Sequence, residues 1–549
     1  MMGTKARSFS PLPPDVSLEE LVPEDHFYRV LEERLDLSFI RELVAPLYAG
    51  GGRPSVDPVV FFKLQLVMFF EGLRSERQLM RLAADRLSLR WYLGYDLFEP
   101  LPDHSSLTRI RERFGTGVFR RFFERIVEMC VEGGLVRGEE LFFDATKVEA
   151  NAAVESLGPR WAVEAHLQLL FGGEASEGGT PTAPPTARDE GLTEANAAVK
   201  DWISRDGAQD RSFTSGYRRR TSDSRASSTD PDATPMTWGR PGRKLGYQTH
   251  YVVDGGKARV ILNALVTPSE VNENRPMLDL LWRTCFRWRL RPHHATADAM
   301  YGTRQNVAAL ERSGVRAYVG MPTREFSNKR HFPVGVFRYH SEKDAYTCPA
   351  NEPLPFRTQD STSKRRLYRA DAKTCNACAQ KKECTDSGRG RTVWRHFDED
   401  YFDRLRAYQI RGDYQKALRK RKVWVEPLFA EAKRWHGMDR FRLRTLAKVN
   451  QEALMVACVQ NLKRLLGAAS AGPLRPPTAC AQAAGCAVRP PALVPRTAPE
   501  ILCHPVFLRR FSTRWIVFET VLAGVLSGGF GFSFVKRTLI SHLPTHNIC

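Results

Sequence analysis

Three acidic residues stand out by their placement. Asp144 interrupts the compact apolar run Glu140-Leu-Phe-Phe-Asp-Ala-Thr-Lys-Val148, whose aromatic and β-branched residues read as a strand. A carboxylate inside such a run either takes backbone N–H donors or binds a cation, because leaving it bare is costly. Asp298 repeats the pattern at the end of the short strand Ala295-Thr-Ala-Asp-Ala, just before a turn and a helix. Carboxylates at adjacent strand ends converge where helix-covered sheets bind ligands, and they repel unless a divalent cation lies between them.

Glu426 sits in the basic segment Arg419-Lys-Arg-Lys-Val-Trp-Val-Glu-Pro-Leu-Phe-Ala-Glu-Ala-Lys433. At roughly 100° per residue, Arg419, Lys422 and Lys433 share one helical stripe with it. From 403 to 448 there are 14 Lys or Arg against five Asp or Glu. An acidic ligand amid positive charge suits a phosphate held beside a cation. The same spacing also describes a solvated helix face with i,i+4 pairs. Pro427, directly after Glu426, marks a helix start or a kink.

The elements that position these residues can be read along the chain. Residues 17 to about 135 are helical, with Pro58 in a first turn, Ser75 as a cap, and a further helix after Asp103. Arg109 and Arg113 lie one turn apart in that last helix, which fits a helix-turn-helix DNA reader or a bundle with a charged face. Two strands around Asp254-Gly-Gly-Lys form a hairpin, and helix and strand then alternate to Gly320. This is an α/β pattern: a mixed sheet covered by helices. About 155–240 reads as an irregular insertion, and 324–400 as a polar, Cys-bearing insertion with no clear helix period. The tail from 468 is unassigned and partly disordered. Its apolar stretch 515–535 contains Glu519 and four Gly, so no membrane partner is expected.

Bulk numbers bound the function. The 549 residues are 42% apolar and carry 82 Lys and Arg against 62 Asp and Glu, a net charge of +20. That excludes broad disorder and favours a polyanionic partner. Residues 1–16 hold no apolar run of the secretory kind. Nine of the 11 Cys follow Ser341, which points to metal ligation or free thiols in a reducing cytoplasm. Cys348, Cys375, Cys378 and Cys384 form Cys-x26-Cys-x2-Cys-x5-Cys, enough thiolates for one structural Zn2+, or four unligated thiols.

Asp144-Ala-Thr-Lys-Val-Glu-Ala-Asn, Thr229-Asp-Pro-Asp-Ala, Leu245-Gly-Tyr-Gln-Thr-His, Thr296-Ala-Asp-Ala-Met-Tyr-Gly and Val425-Glu-Pro-Leu-Phe-Ala-Glu-Ala-Lys, in this order, resemble bacterial insertion-sequence DDE transposases. Gly52-Arg-Pro-Ser-Val-Asp-Pro and Asp103-His-Ser-Ser-Leu-Thr-Arg resemble that family's helical N-terminal domain, and the likeness spans roughly residues 8–465. It implies a helical DNA-binding domain over 8–135 and an RNase H-like catalytic domain over 136–323 plus 401–467. It also implies Asp144, Asp298 and Glu426 as ligands of two Mg2+ (or Mn2+) ions about 3.5–4 Å apart, with Asp144 bridging them. Lys433 corresponds to the family's signature Lys on element-end DNA. Arg419 and Lys422 stand where that signature has Tyr and Arg, so an aromatic contact is lost and the charge at 422 is kept. The partners so implied are double-stranded DNA, both terminal inverted repeats and target, bound by a homodimer at the nucleoid. An RNase H-like nuclease or resolvase without strand transfer, or a domesticated DNA-binding protein, would share much of this pattern.

Overall fold

Side-chain caps open the longer N-terminal helices. The computed structural model describes residues 16–48, 51, 55–160, 162–163, 225–236, 244–320 and 331–469. Its first helices are α1 (Leu18–Leu21), α2 (Phe27–Arg34), α3 (Phe39–Val44), α4 (Pro58–Phe70), α5 (Glu76–Asp85), α6 (Leu87–Leu93) and α7 (His104–Glu132). Asp57 Oδ1 accepts from Val59 N–H at 2.8 Å, Ser75 Oγ from Gln78 at 3.4 Å, and Asp103 Oδ1 from Ser105 at 2.8 Å. These bonds satisfy N–H groups that a helix start leaves bare. Gly115, at φ +61°, breaks α7 into two pieces. A residue with a Cβ would resist that conformation.

The central sheet contains β1 (Glu140–Glu149), β4 (Thr234–Met236), β5 (Lys244–Asp254), β6 (Ile261–Pro268), β7 (His294–Ala297) and β8 (Arg316–Val319), and β2 (Leu157–Pro159) pairs separately with β3 (Arg225–Ser227). β4 and β6 lie end to end along one edge of β5, followed by β1, β7 and β8. β1 and β6 are antiparallel to β5, whereas β7 and β8 run parallel to β1. Helices α8 (Met277–Trp288) and α9 (Arg304–Arg312) connect the later strands. This is the expected mixed sheet flanked by helices.

Two long C-terminal helices complete it, α13 (Gly412–Trp435) and α14 (Leu446–Ala469). α14 covers the open edge of β6. Asn450 accepts from Val266 N–H at 2.8 Å and donates to its carbonyl at 3.2 Å. Asn461 does the same to Ile261, at 2.9 and 2.8 Å. An edge strand would otherwise present unpaired backbone groups to other chains. α14 also packs on α4 and α7, and one apolar core runs from the N-terminal helices to the sheet. The Thr229-Asp-Pro-Asp stretch has its role here: Asp230 and Asp232 accept from the N–H groups of Thr445 (3.0 Å) and Leu446 (2.8 Å), at the start of α14.

Residues 324–400 differ from the irregular stretch expected. Their described part contains a five-stranded antiparallel sheet in the order β13-β12-β11-β10-β9. Its strands are β9 (Arg338–His340), β10 (Ala345–Thr347), β11 (Pro353–Asp360), β12 (Arg365–Arg369) and β13 (Thr392–His396). Two short helices, α10 (Ala372–Ala377) and α11 (Lys381–Cys384), follow β12, and α12 (Glu399–Gln409) leads into α13. The strands are short and β11 is mostly exposed, so no alternation of apolar residues announces them. Most of the expected 155–240 insertion and the tail from 470 lie outside the described residues. Among those described, no helix is long and apolar enough to cross a membrane.

Candidate active site

Register brings the two aspartates together. Phe142 and Thr296 are partners across the parallel β1–β7 pair. Two residues further on, Asp144 and Asp298 stand level and, by the period-two alternation of strands, face the same side. Asp144 is buried in mid-strand opposite Tyr251 of β5, and its Oδ1 accepts from the Ala145 N–H at 3.0 Å. Asp298 caps the turn after β7, its Oδ1 accepting from Met300 N–H at 2.8 Å.

α13 carries the third carboxylate across β1, β5, β7 and β8. Tyr414 Oη donates to the Val319 carbonyl (2.9 Å), Trp424 Nε1 donates to the Gly256 carbonyl (3.0 Å), and Phe429 stacks on Tyr251. Of the two readings of Pro427, a helix start does not hold: the helix runs through it. Proline removes the N–H that would bond the Val423 carbonyl. The Arg259 guanidinium reaches that carbonyl instead, at 3.4 Å. Glu426 is therefore held on a continuous helix, with its side chain about half exposed.

Between the carboxylates lies Arg421. Its Nη1 donates to Asp144 Oδ2 at 2.8 Å, and its Nη2 stands 3.8 Å from Glu426 Oε1. Burial pushes the Asp144 carboxyl up to about 6; Arg421 opposes this, and Asp298 and Glu426 add to it. A fourth carboxylate, Glu273, shares the field. Burial, then Asp298 and Asp144, push it up to about 7. Tyr301 is fully buried and kept neutral by burial first, then by Glu273, Asp144 and Asp298. Sequence reasoning missed Glu273 and Arg421. Glu273 follows β6, which runs parallel to β1, so the strand-end rule that marked Asp298 also marks it.

The other expected residues are placed as follows. Arg419 and Lys422 are exposed on α13. Lys433 is half-buried in its last turn, where burial lowers its ammonium and Asp439 partly restores it. Glu431 is committed elsewhere, with Lys463 at 2.9 Å and Arg464 at 3.0 Å, both on α14. Arg109 is exposed on α7, and Arg113 lies 4.8 Å over the Tyr48 ring. No contact joins either one to the carboxylates among the described residues. Cys348, Cys375, Cys378 and Cys384 line one cavity of about 150 Å3. As oriented, no three His, Cys, Asp or Glu side chains among the described residues come together to hold a metal ion. At the carboxylate cluster Arg421 lies between Asp144 and Glu426, and Lys147 acts on Glu273.

Residues 16–113 match the family model described as a transposase domain (DUF772), and residues 347–466 match the one described as a transposase DDE domain. Both matches are to transposase families, so these two stretches are transposase domains. No curated protein and no solved structure matches it. The second matched stretch takes in the four clustered Cys, Glu426 and Lys433, while Asp144 and Asp298 lie between the two. Transposase domains act on DNA, which agrees with the chain's net charge of +20.

Proposed function

We propose that this protein cuts the ends of an insertion sequence and joins them to target DNA by metal-dependent phosphodiester transfer. The observation that carries the reading is the register: Asp144 and Asp298 stand level on one face, and the helix bearing Glu426 crosses that face. The donor chemistry suits a divalent cation. Asp144, Asp298 and Glu426 offer hard oxygen ligands, and a cation between them would relieve the mutual repulsion that, with burial, raises Asp144; Arg421 supplies the positive charge there in the free chain. When bound there, Mg2+ or Mn2+ supplies Lewis acidity to the attacking and leaving oxygens.

The chain's own groups do the rest. Arg421 neutralises Asp144 and Glu426 in the free chain, and its planar fork suits a phosphate oxygen once a cation takes over the carboxylates. The exposed Arg419 and Lys422, together with Lys433, neutralise backbone phosphates along α13, so affinity falls with salt. Arg109 and Arg113 belong to a helical segment that reads the element ends. The acting species is a homodimer pairing two ends in the cytoplasm, at the nucleoid. Incubating the protein with its element-end duplex, a target duplex and Mg2+ tests the reading. Joined products support it, and hydrolysis without joining replaces it with a nuclease.

A further inference from the structure

The Cys-bearing insertion has a core of its own, and it is small. Phe337, Tyr346, Leu354, Tyr368, Ala370, Cys384 and Val393 are its buried apolar residues. Segments of this size usually need a staple beyond their apolar burial, such as a disulfide or a metal. All four Cys here are reduced.

Those four thiols come from three separate turns. Cys348 follows β10 in a tight loop, where its carbonyl accepts from Asn351 N–H at 2.9 Å and its Sγ accepts from Glu352 N–H at 3.3 Å. Cys375 and Cys378 bracket the end of α10, with Cys378 N–H donating to the Cys375 carbonyl at 3.4 Å. Cys384 ends α11 and is buried, its carbonyl accepting from Arg391 at 2.6 Å. All four line the same cavity of about 150 Å3. Burial raises the Cys384 thiol, Arg391 lowers it, and Cys375, Cys348 and Cys378 raise it again. The four sulfurs thus lie within each other's field.

We propose that Cys348, Cys375, Cys378 and Cys384 bind one structural zinc ion. As oriented, the thiols surround a cavity and do not meet at one point. Sulfur ligands at about 2.3 Å from zinc require the three turns to close inward, so metal binding and the final packing of this sheet are one event. The site has no open ligand position for catalysis. Its consequence reaches α12, because Arg395 of β13 is paired with Asp403 at 2.6 Å and with Asp400. The sheet is thereby tied to the helix that precedes α13. This proposal stands independently of the catalytic reading.

Zinc analysis of the full chain, purified with a phosphine reductant and no chelator, is the test. The expected result is near one zinc per chain, released in step with the loss of four protected thiols on mercurial titration. Asp144→Asn should retain the zinc, which separates this site from the carboxylates. Cys378→Ser should lower the content at least tenfold. If that variant does not fold, Co2+ substitution of the wild type decides, through the visible bands of tetrahedral thiolate cobalt. Less than one zinc in ten chains, with all four thiols reacting at the free rate, would overturn the assignment. Full zinc retention in a folded Cys378→Ser would overturn it too.

Discussion

Arg421 Nη1 lies 2.8 Å from Asp144 Oδ2, and the same guanidinium stands 3.8 Å from Glu426. Arg421 thus occupies the position where the account places a metal ion. A cation entering there must compete with this charge. Arg421→Gln should therefore tighten Mn2+ binding by roughly tenfold or more, as Coulomb energies at such distances allow. Calorimetric titration of Mn2+ reads this without any turnover. Unchanged or weaker binding in a folded variant would show that Arg421 and the metal do not share the site.

Glu273 should count as part of the same cluster. Its carboxyl is raised by burial and then by Asp298 and Asp144, so the three groups feel one another. Glu273→Gln removes one negative charge from the field that attracts the cation. Mn2+ affinity should fall about tenfold while DNA affinity in the absence of metal holds or rises. Equal Mn2+ affinity in the variant and the wild type would remove Glu273 from the site.

A stability prediction concerns Glu431. Burial acts to raise its carboxyl, but His436 at 3.6 Å, Arg464 and Lys463 outweigh it and hold the group well below its ordinary 4.5. A depressed folded value stabilises the chain above the unfolded value, and that gain is lost as pH falls below about 4.5. Glu431→Gln should cost about 2 kcal/mol in urea unfolding at pH 7, because it leaves Lys463 and Arg464 without their partner. The gap should shrink steadily below pH 4.5. A gap that stays constant down to pH 3 would contradict the ionic explanation.

Glu426 and Lys433 are opposite charges on one helix, and their losses should differ in kind. Lys433→Ala removes a single phosphate contact, so binding weakens and the slope of log K against log salt shrinks by roughly one unit. Glu426→Gln makes the local field more positive, so binding holds or tightens while cleavage disappears. Filter binding across a salt series distinguishes the two. Identical slopes for Lys433→Ala and wild type would remove Lys433 from the DNA path.

Much of this was legible in the chain. The lone acid in an apolar strand singled out Asp144, and the strand–turn–helix pattern singled out Asp298; the β1–β7 register brings the two level. Pro58 in a first turn and caps at Ser75 and Asp103 located helix starts that the structure shares. Other features depend on contacts remote in sequence. Arg421 sits in the run Arg419-Lys-Arg-Lys422, and only the rotation of α13 against the sheet decides which cation turns inward. Pro427 reads as a helix start or a kink because Arg259, which bonds the carbonyl that proline leaves bare, comes from the remote β5–β6 hairpin. The Cys-bearing sheet escaped because its strands carry charged residues on exposed faces and bury few side chains. Asn450 and Asn461 look like ordinary polar residues until β6 is known to be the edge they cover.

The most direct measurement compares wild type with Asp144→Asn and Asp298→Asn on labelled element-end DNA. Each reaction is run with Mg2+, with Mn2+ and with a chelator. The account predicts cleavage by wild type only when a divalent ion is present. Both variants should lose cleavage by at least about a thousandfold while keeping their affinity for the duplex, as expected when a group acting on the transition state is removed. Cleavage by either variant at the wild-type rate, or by wild type in chelator, would contradict the assignment of Asp144 and Asp298 as the metal-holding pair.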